Sequence, residues 1–213
     1  DKDAGVEKEL ILNFEYQCIL SVKEIDLGAG KFDYAVMVHP FFYKKSKQPT
    51  TQPLNYEYIR VDGQSFQIKE RISFTSVYTK WMIEYAVEKD GALYLAGQCK
   101  ASKEDYNNFD MWDLKTYNGF QVMKIENGKV AYVTGIDKVA AQAALKTVPG
   151  AKGKADISFV FKHPLINNNP SAFQVEVNVV NGMLFISGQN MAGYGSKGAE
   201  RGSVITMVFG KSG

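Results

Sequence analysis

Apolar and polar positions alternate along short segments of the chain, and turn-forming residues separate these segments. The clearest segment, DGALYLAGQ at residues 90–98, recurs 91 positions later as NGMLFISGQ at residues 181–189, without a gap. Strand-like runs at 81–87 and 173–180 precede the two copies. Each run joins its copy through Asp-Gly or Asn-Gly, dipeptides that tolerate positive φ and therefore predict tight β-hairpins.

A second hairpin pattern recurs as well, because YEYIRVDGQ at 56–64 is similar to FQVMKIENGK at 120–129. A poorer third copy lies at 204–211. Together the copies predict a single repeat domain over residues 1–213. Each unit is expected to be a four-stranded antiparallel meander, the arrangement of one β-propeller blade. The predicted units cover about residues 11–70, 71–155 and 156–213.

These hairpins resemble the β-propeller repeats of bacterial proteins, in which a DGxLYLAG hairpin is followed by a KIxNGK hairpin. The resemblance covers most of residues 72–136 and 172–210. It implies an all-β, propeller-like fold with about three four-stranded antiparallel blades. Propellers close with about four to eight blades, so it also implies a larger propeller or assembly that supplies further blades. The alternative fold is a β-sandwich or an open barrel.

One segment, at 138–148, predicts a helix because it is rich in alanine and Pro149-Gly150 would end it. Asp137 is placed to begin this helix. We expect Val139, Ala143 and residues 145–148 to pack on the edge of a sheet.

Long connections between the predicted strands are the best indication of a binding surface, because loops on a rigid scaffold carry binding groups. They are expected at 39–55, 99–119, 137–155 and 189–202. Aromatic rings with polar atoms suit contact with another protein or stacking on a sugar, and the alternative is that some of these rings fold back over the sheet. The candidate binding residues are Tyr43, Tyr106, Phe109, Trp112, Tyr117 and Tyr194.

An acidic loop accompanies these rings and is formed by Asp105, Asp110 and Asp113. Their spacing lacks the frame of an EF-hand loop, so solvated carboxylates are expected. A glycosidase would need two carboxylates at a defined separation. The sequence therefore keeps a carbohydrate-binding or glycoside-active protein as the alternative function.

Composition narrows the classes of partner. The 25 basic and 23 acidic residues are scattered and give a net charge of only +2, so nucleic acid is not an expected partner. No apolar stretch approaches the roughly 20 residues of a membrane-spanning helix. The chain starts at Asp1 rather than Met, which favours an exported protein in the periplasm or on the surface of a bacterium.

Catalytic signatures are missing from the sequence. His39 and His163 each precede a proline, which indicates turn geometry, and no paired motif for a metal ion or an activated serine is present.

The string GYGSKG at 193–198 matches the dinucleotide pattern but precedes a predicted strand, so we expect a glycine loop there. Cys18 and Cys99 allow at most one disulfide. No metal or cofactor is predicted, and the favoured function is a non-catalytic protein-interaction module.

Overall fold

The computed structural model describes residues 8–14, 17–40, 55–78, 80–100, 117–148, 174–195 and 198–210. These residues form twelve strands and one helix. In chain order the elements are β1 Gln17–Gly28, β2 Lys31–Pro40, β3 Asn55–Asp62, β4 Ile68–Thr75, β5 Lys80–Trp81, β6 Tyr85–Lys89, β7 Ala92–Lys100, β8 Gly119–Glu126, β9 Lys129–Asp137, α1 Lys138–Lys146, β10 Gln174–Val180, β11 Met183–Gly195 and β12 Gly198–Phe209.

The strands form three antiparallel sheets. The first has the order β1-β2-β3-β4, the second β5-β7-β8-β9 with β6 also paired to β7, and the third β10-β11-β12. The prediction of an all-β protein with antiparallel sheets is therefore confirmed. The described strands do not close into a ring, and the propeller remains a prediction.

The hairpin turns follow the dipeptides that predict them. Asn181 and Gly182 join β10 to β11 with φ values of 52° and 73°, and Asp90 and Gly91 have 52° and 77° between β6 and β7. Two consecutive residues with positive φ are the requirement of a type I′ turn, whose twist matches that of the flanking strands. The two dipeptides therefore determine the hairpin turns through their ability to adopt positive φ.

The loop between β3 and β4 differs from its prediction. Asp62-Gly63 does not form a two-residue turn, since Val61 pairs with Ile68 and the loop is longer. Asp62 Oδ1 instead accepts the backbone N–H groups of Gln64 and Ser65 at 2.9 and 2.7 Å. An aspartate that bonds the backbone two and three residues ahead forms an Asx-type turn, and this turn takes the place of the expected hairpin.

Gly97 is the second glycine of the segment DGALYLAG at residues 90–97. A glycine is required there because the backbone of another segment approaches it closely. A Cβ added there would lie 1.7 Å from the carbonyl oxygen of Met82. The segment between β5 and β6 runs this close because Met82 N–H donates to Gln98 O at 2.8 Å and Glu84 N–H donates to Ala96 O at 3.1 Å. A side chain at this position would break the contact.

The described residues up to Ser76 form one compact unit and those from Val77 onward form a second. In the first unit, one face of the β1–β4 sheet carries a core of Val36, Val38, Ile59 and Val61, against which Leu10, Leu12, Phe14 and Tyr34 pack. The opposite face is also buried, and its large side chains include Met37, His39, Tyr56 and Tyr58.

In the second unit, the second and third sheets share one apolar core, and α1 packs against it through Ala141 and Leu145. Face-to-face packing of this kind occurs between the sheets of a sandwich and between neighbouring propeller blades. The core residues are Ala92, Tyr94, Ala96, Phe120, Val122, Leu184, Ile186 and Phe209.

Helix α1 begins and ends close to its predicted limits. Asp137 is the N-cap, and its Oδ1 accepts the N–H of Ala140 at 2.7 Å. Of the residues expected to pack, only Leu145 contacts the core. The prediction is wrong at Val139, which is 78% exposed, and at Ala143, and residues 146–148 are exposed as well. The helix turns another face towards the core.

Candidate functional site

Most of the predicted binding residues lie outside the described residues, so the aromatic loops stay a prediction for protein or glycan contact. Tyr117 is described and is only 6% exposed, which agrees with the alternative that some rings fold back. Tyr194 lies in β11. The residues outside the described ranges are Tyr43, Asp105, Tyr106, Phe109, Asp110, Trp112 and Asp113.

The connection predicted at 189–202 is not a loop. Strand β11 continues to Gly195, β12 begins at Gly198, and pairs such as Tyr194 with Ala199 extend the ladder. Backbone pairing satisfies the N–H and C=O groups here despite the glycines. Residues 193–195 and 198 of the GYGSKG string therefore lie in the paired strands β11 and β12, whereas a dinucleotide site would need a helix after the string.

An apolar groove of about 260 Å³ lies between α1 and β12 in the second unit. The helix contributes three residues at positions i, i+3 and i+4, a spacing that places side chains on one face. They are Ala141, Ala144 and Leu145. Val148, which follows the C-cap Thr147, and Ile136 of β9 also line the groove.

The other wall of the groove is the edge of β12. Five consecutive residues, 205–209, line it, although successive side chains of a strand point to opposite faces. A cavity that touches all five therefore follows the edge of the strand. Within the described part of the chain, β12 pairs only with β11, so its outer backbone N–H and C=O groups face the groove.

Part of this site could have been found in the sequence. The predicted packed set includes Leu145 and Val148, which do line the groove, but it omits Ala141 and Ala144 and names Val139 and Ala143 instead. The edge position of β12 has no local signal, because strand order depends on pairing between distant segments.

A network of ion pairs lies on the first sheet. Asp33, whose side chain is fully buried, accepts from Arg60 Nε at 2.6 Å and from Lys69 Nζ at 2.7 Å. Lys69 Nζ also lies 2.7 Å from Asp62 Oδ2. Burial acts to raise the pKa of Asp33, but the hydrogen bonds from Lys69 and Arg60 outweigh it and the pKa is lowered. Both carboxylate oxygens of Asp33 are paired, so this network has a structural role.

Three further features of the described residues bear on function. No three side chains of His, Cys, Asp or Glu come together there as a candidate metal site. Cys18 and Cys99 are both free thiols. No helix in the described ranges has the length and apolar character needed to cross a membrane.

The groove along β12 is therefore a candidate binding site that described residues form. Comparison with known proteins adds no relative: no family model matches the chain, and no curated protein or solved structure shows a significant match.

Proposed function

We propose that this protein is a non-catalytic protein-interaction module that binds an extended segment of a partner protein along β12. The observation that carries the proposal is the groove with two unlike walls, an apolar helix stripe on α1 and the backbone edge of β12.

The two walls place different demands on an occupant. A small apolar molecule would cover the N–H and C=O groups of β12 without pairing them, and unpaired buried backbone groups are costly. An extended peptide pairs with the edge and places alternate side chains against the helix stripe, as in strand addition to other sheets. The groove therefore favours a peptide strand over a small apolar ligand.

The size of the groove agrees with this occupant. An apolar cavity of about 150 Å³ holds one benzene ring, and this groove measures about 260 Å³. It has room for a large apolar side chain of the incoming strand. We expect bound peptides to carry apolar residues at every second position.

Selection from a displayed library of random peptides on the immobilised protein tests the proposal. Val148 and Val208 line the groove and are 51% and 54% exposed, so Val148→Glu and Val208→Glu should fold while placing a charge in it. We expect both variants to lose the selected peptides. Val139→Glu is the matched control, because Val139 is an exposed valine of α1 that does not line the groove.

Selected peptides without apolar alternation, or peptides that bind the two groove variants as well as the unmodified protein, would contradict the proposal. Amide hydrogen exchange provides a second measurement, since a paired edge should protect amides of β12 when the peptide is bound.

A further inference from the structure

A row of four side chains crosses one face of the first sheet. Cys18 on β1 lies directly opposite His39 on β2, and such residues share a face with Cβ atoms about 4.5–5.5 Å apart. The His39 ring lies edge-on to Tyr56 with 5.6 Å between centroids, and Tyr56 stacks on Phe74 at 5.9 Å. The row therefore joins a thiol, an imidazole and two aromatic rings.

His39 is fully buried, and neither ring nitrogen has a hydrogen-bond partner among the described residues. Buried polar groups are normally paired, and each exception calls for an explanation. A neutral imidazole carries an unshared electron pair on one ring nitrogen, which is the atom that binds metal ions.

The donors around this ring are soft. Cys18 is a free thiol, and Met37, which is 1% exposed, lies on the same face two residues before His39. The rise along a strand puts the Cα atoms of Met37 and His39 about 6.6 Å apart. Thiolate and thioether sulfur select copper(I), and imidazole also binds copper. A zinc site would require further His, Cys or carboxylate ligands, which are not grouped here within the described ranges.

The geometry points to a copper(I) site formed by Cys18 Sγ and a ring nitrogen of His39, with Met37 Sδ as a third donor. On binding, the Cys18 S–H bond breaks, its proton passes to solvent and the sulfur bonds the metal. The imidazole contributes its electron pair, and the copper remains in its +1 state throughout.

The ion has a route to these donors. β1 is an edge strand of its sheet within the described residues, and Cys18 is only partly buried. Burial raises the pKa of the Cys18 thiol, but a coordinated thiol loses its proton to the metal. The ion can therefore meet the Cys18 sulfur first, at the edge of the sheet, before it reaches the buried donors.

An anaerobic titration tests this inference. Reduced, metal-free protein is titrated with copper(I) against a chromogenic copper(I) chelator, and X-ray absorption reports the atoms bound to the metal. We expect one copper(I) per chain with sulfur and nitrogen neighbours. Cys18→Ser and His39→Phe should abolish the stoichiometric binding, and Met37→Leu should weaken it.

Two matched variants are expected to keep the copper. Cys99→Ser removes the other free thiol, and Ser21→Ala removes a buried hydroxyl on the same face that also has no partner. Cys18 lies on the partly exposed edge, so Cys18→Ser carries the test if His39→Phe fails to fold. Absence of one-to-one binding, or equal binding by Cys18→Ser, would overturn the proposal and assign the His39 pocket to bound water.

Discussion

The two ends of β2 hold buried polar side chains in opposite states. Asp33 and His39 lie on the same face of the strand, and both are 0% exposed. Both oxygens of Asp33 are paired, with Arg60 and Lys69, whereas neither nitrogen of His39 has a partner among the described residues. Burial alone therefore does not identify a functional polar side chain. The hydrogen-bond and ion-pair partners of the side chain have to be counted as well.

The neighbours of each side chain explain the difference. At the Asp33 end, the adjacent strand β3 supplies Asp62 and the next strand, β4, supplies Lys69, and this pair extends the ion-pair network. At the His39 end they supply Cys18 and Tyr56. The first set neutralises a buried charge. The second leaves a neutral base beside a thiol, an arrangement that a soft metal ion would satisfy.

The largest loss of folding stability is expected from Asp33→Asn. This change leaves Arg60 and Lys69 beside a neutral amide, and breaking a buried ion pair costs about 3–5 kcal/mol. Arg60 and Lys69 keep side-chain exposures of 23% and 41%, so the lower end, about 3 kcal/mol, applies. Urea unfolding at pH 7 measures the loss.

The control for this change is Asp26→Asn. Asp26 Oδ1 accepts the Gly28 N–H at an exposed turn, at 2.7 Å, and an asparagine oxygen can still accept it. We expect a change within about 0.5 kcal/mol. Equal losses in the two variants would remove the distinction between the paired, buried carboxylate and an exposed one.

A smaller, pH-dependent effect is expected at His39 in the metal-free protein. The pKa of His39 is lowered to about 3 in the folded chain, while an unfolded histidine has a pKa of about 6.5. Between these values the unfolded state binds a proton that the folded state does not, so stability falls as the pH falls. The free energy of unfolding falls by up to about 1.4 kcal/mol per pH unit, which amounts to about 2 kcal/mol from pH 6.5 to pH 5.

His39→Phe should remove this dependence, because phenylalanine fills the pocket and does not titrate. The titratable neighbours across the sheet are Cys18 and Tyr56, and burial raises the pKa of the Cys18 thiol, which moves it further from this range. His163 is present in both proteins, so the difference between their unfolding curves isolates His39. Parallel curves between pH 7 and pH 5 would show that the ring is protonated or paired in the folded chain.

The sequence predicts the features that depend on neighbouring residues. Asn181-Gly182 sets its turn through φ, and Asp137 caps α1 through a contact three residues ahead. The partners of Asp33 lie 27 and 36 positions away, and only the strand register brings them together. The proline after His39 predicts turn geometry at a strand end. The position before a proline also favours extended backbone, and the structure places His39 next to last in β2.

The smallest effect is expected at an exposed, satisfied polar group, the N-cap Asp137. Asp137→Ala removes the acceptor for the N–H of Ala140, and loss of an N-cap costs about 1 kcal/mol. Asp137→Asn should retain most of the stability, because asparagine also caps helices well. Thermal unfolding of the two variants measures the difference. Since α1 forms one wall of the groove, Asp137→Ala should also weaken peptide binding, and unchanged binding would show that β12 alone holds the peptide.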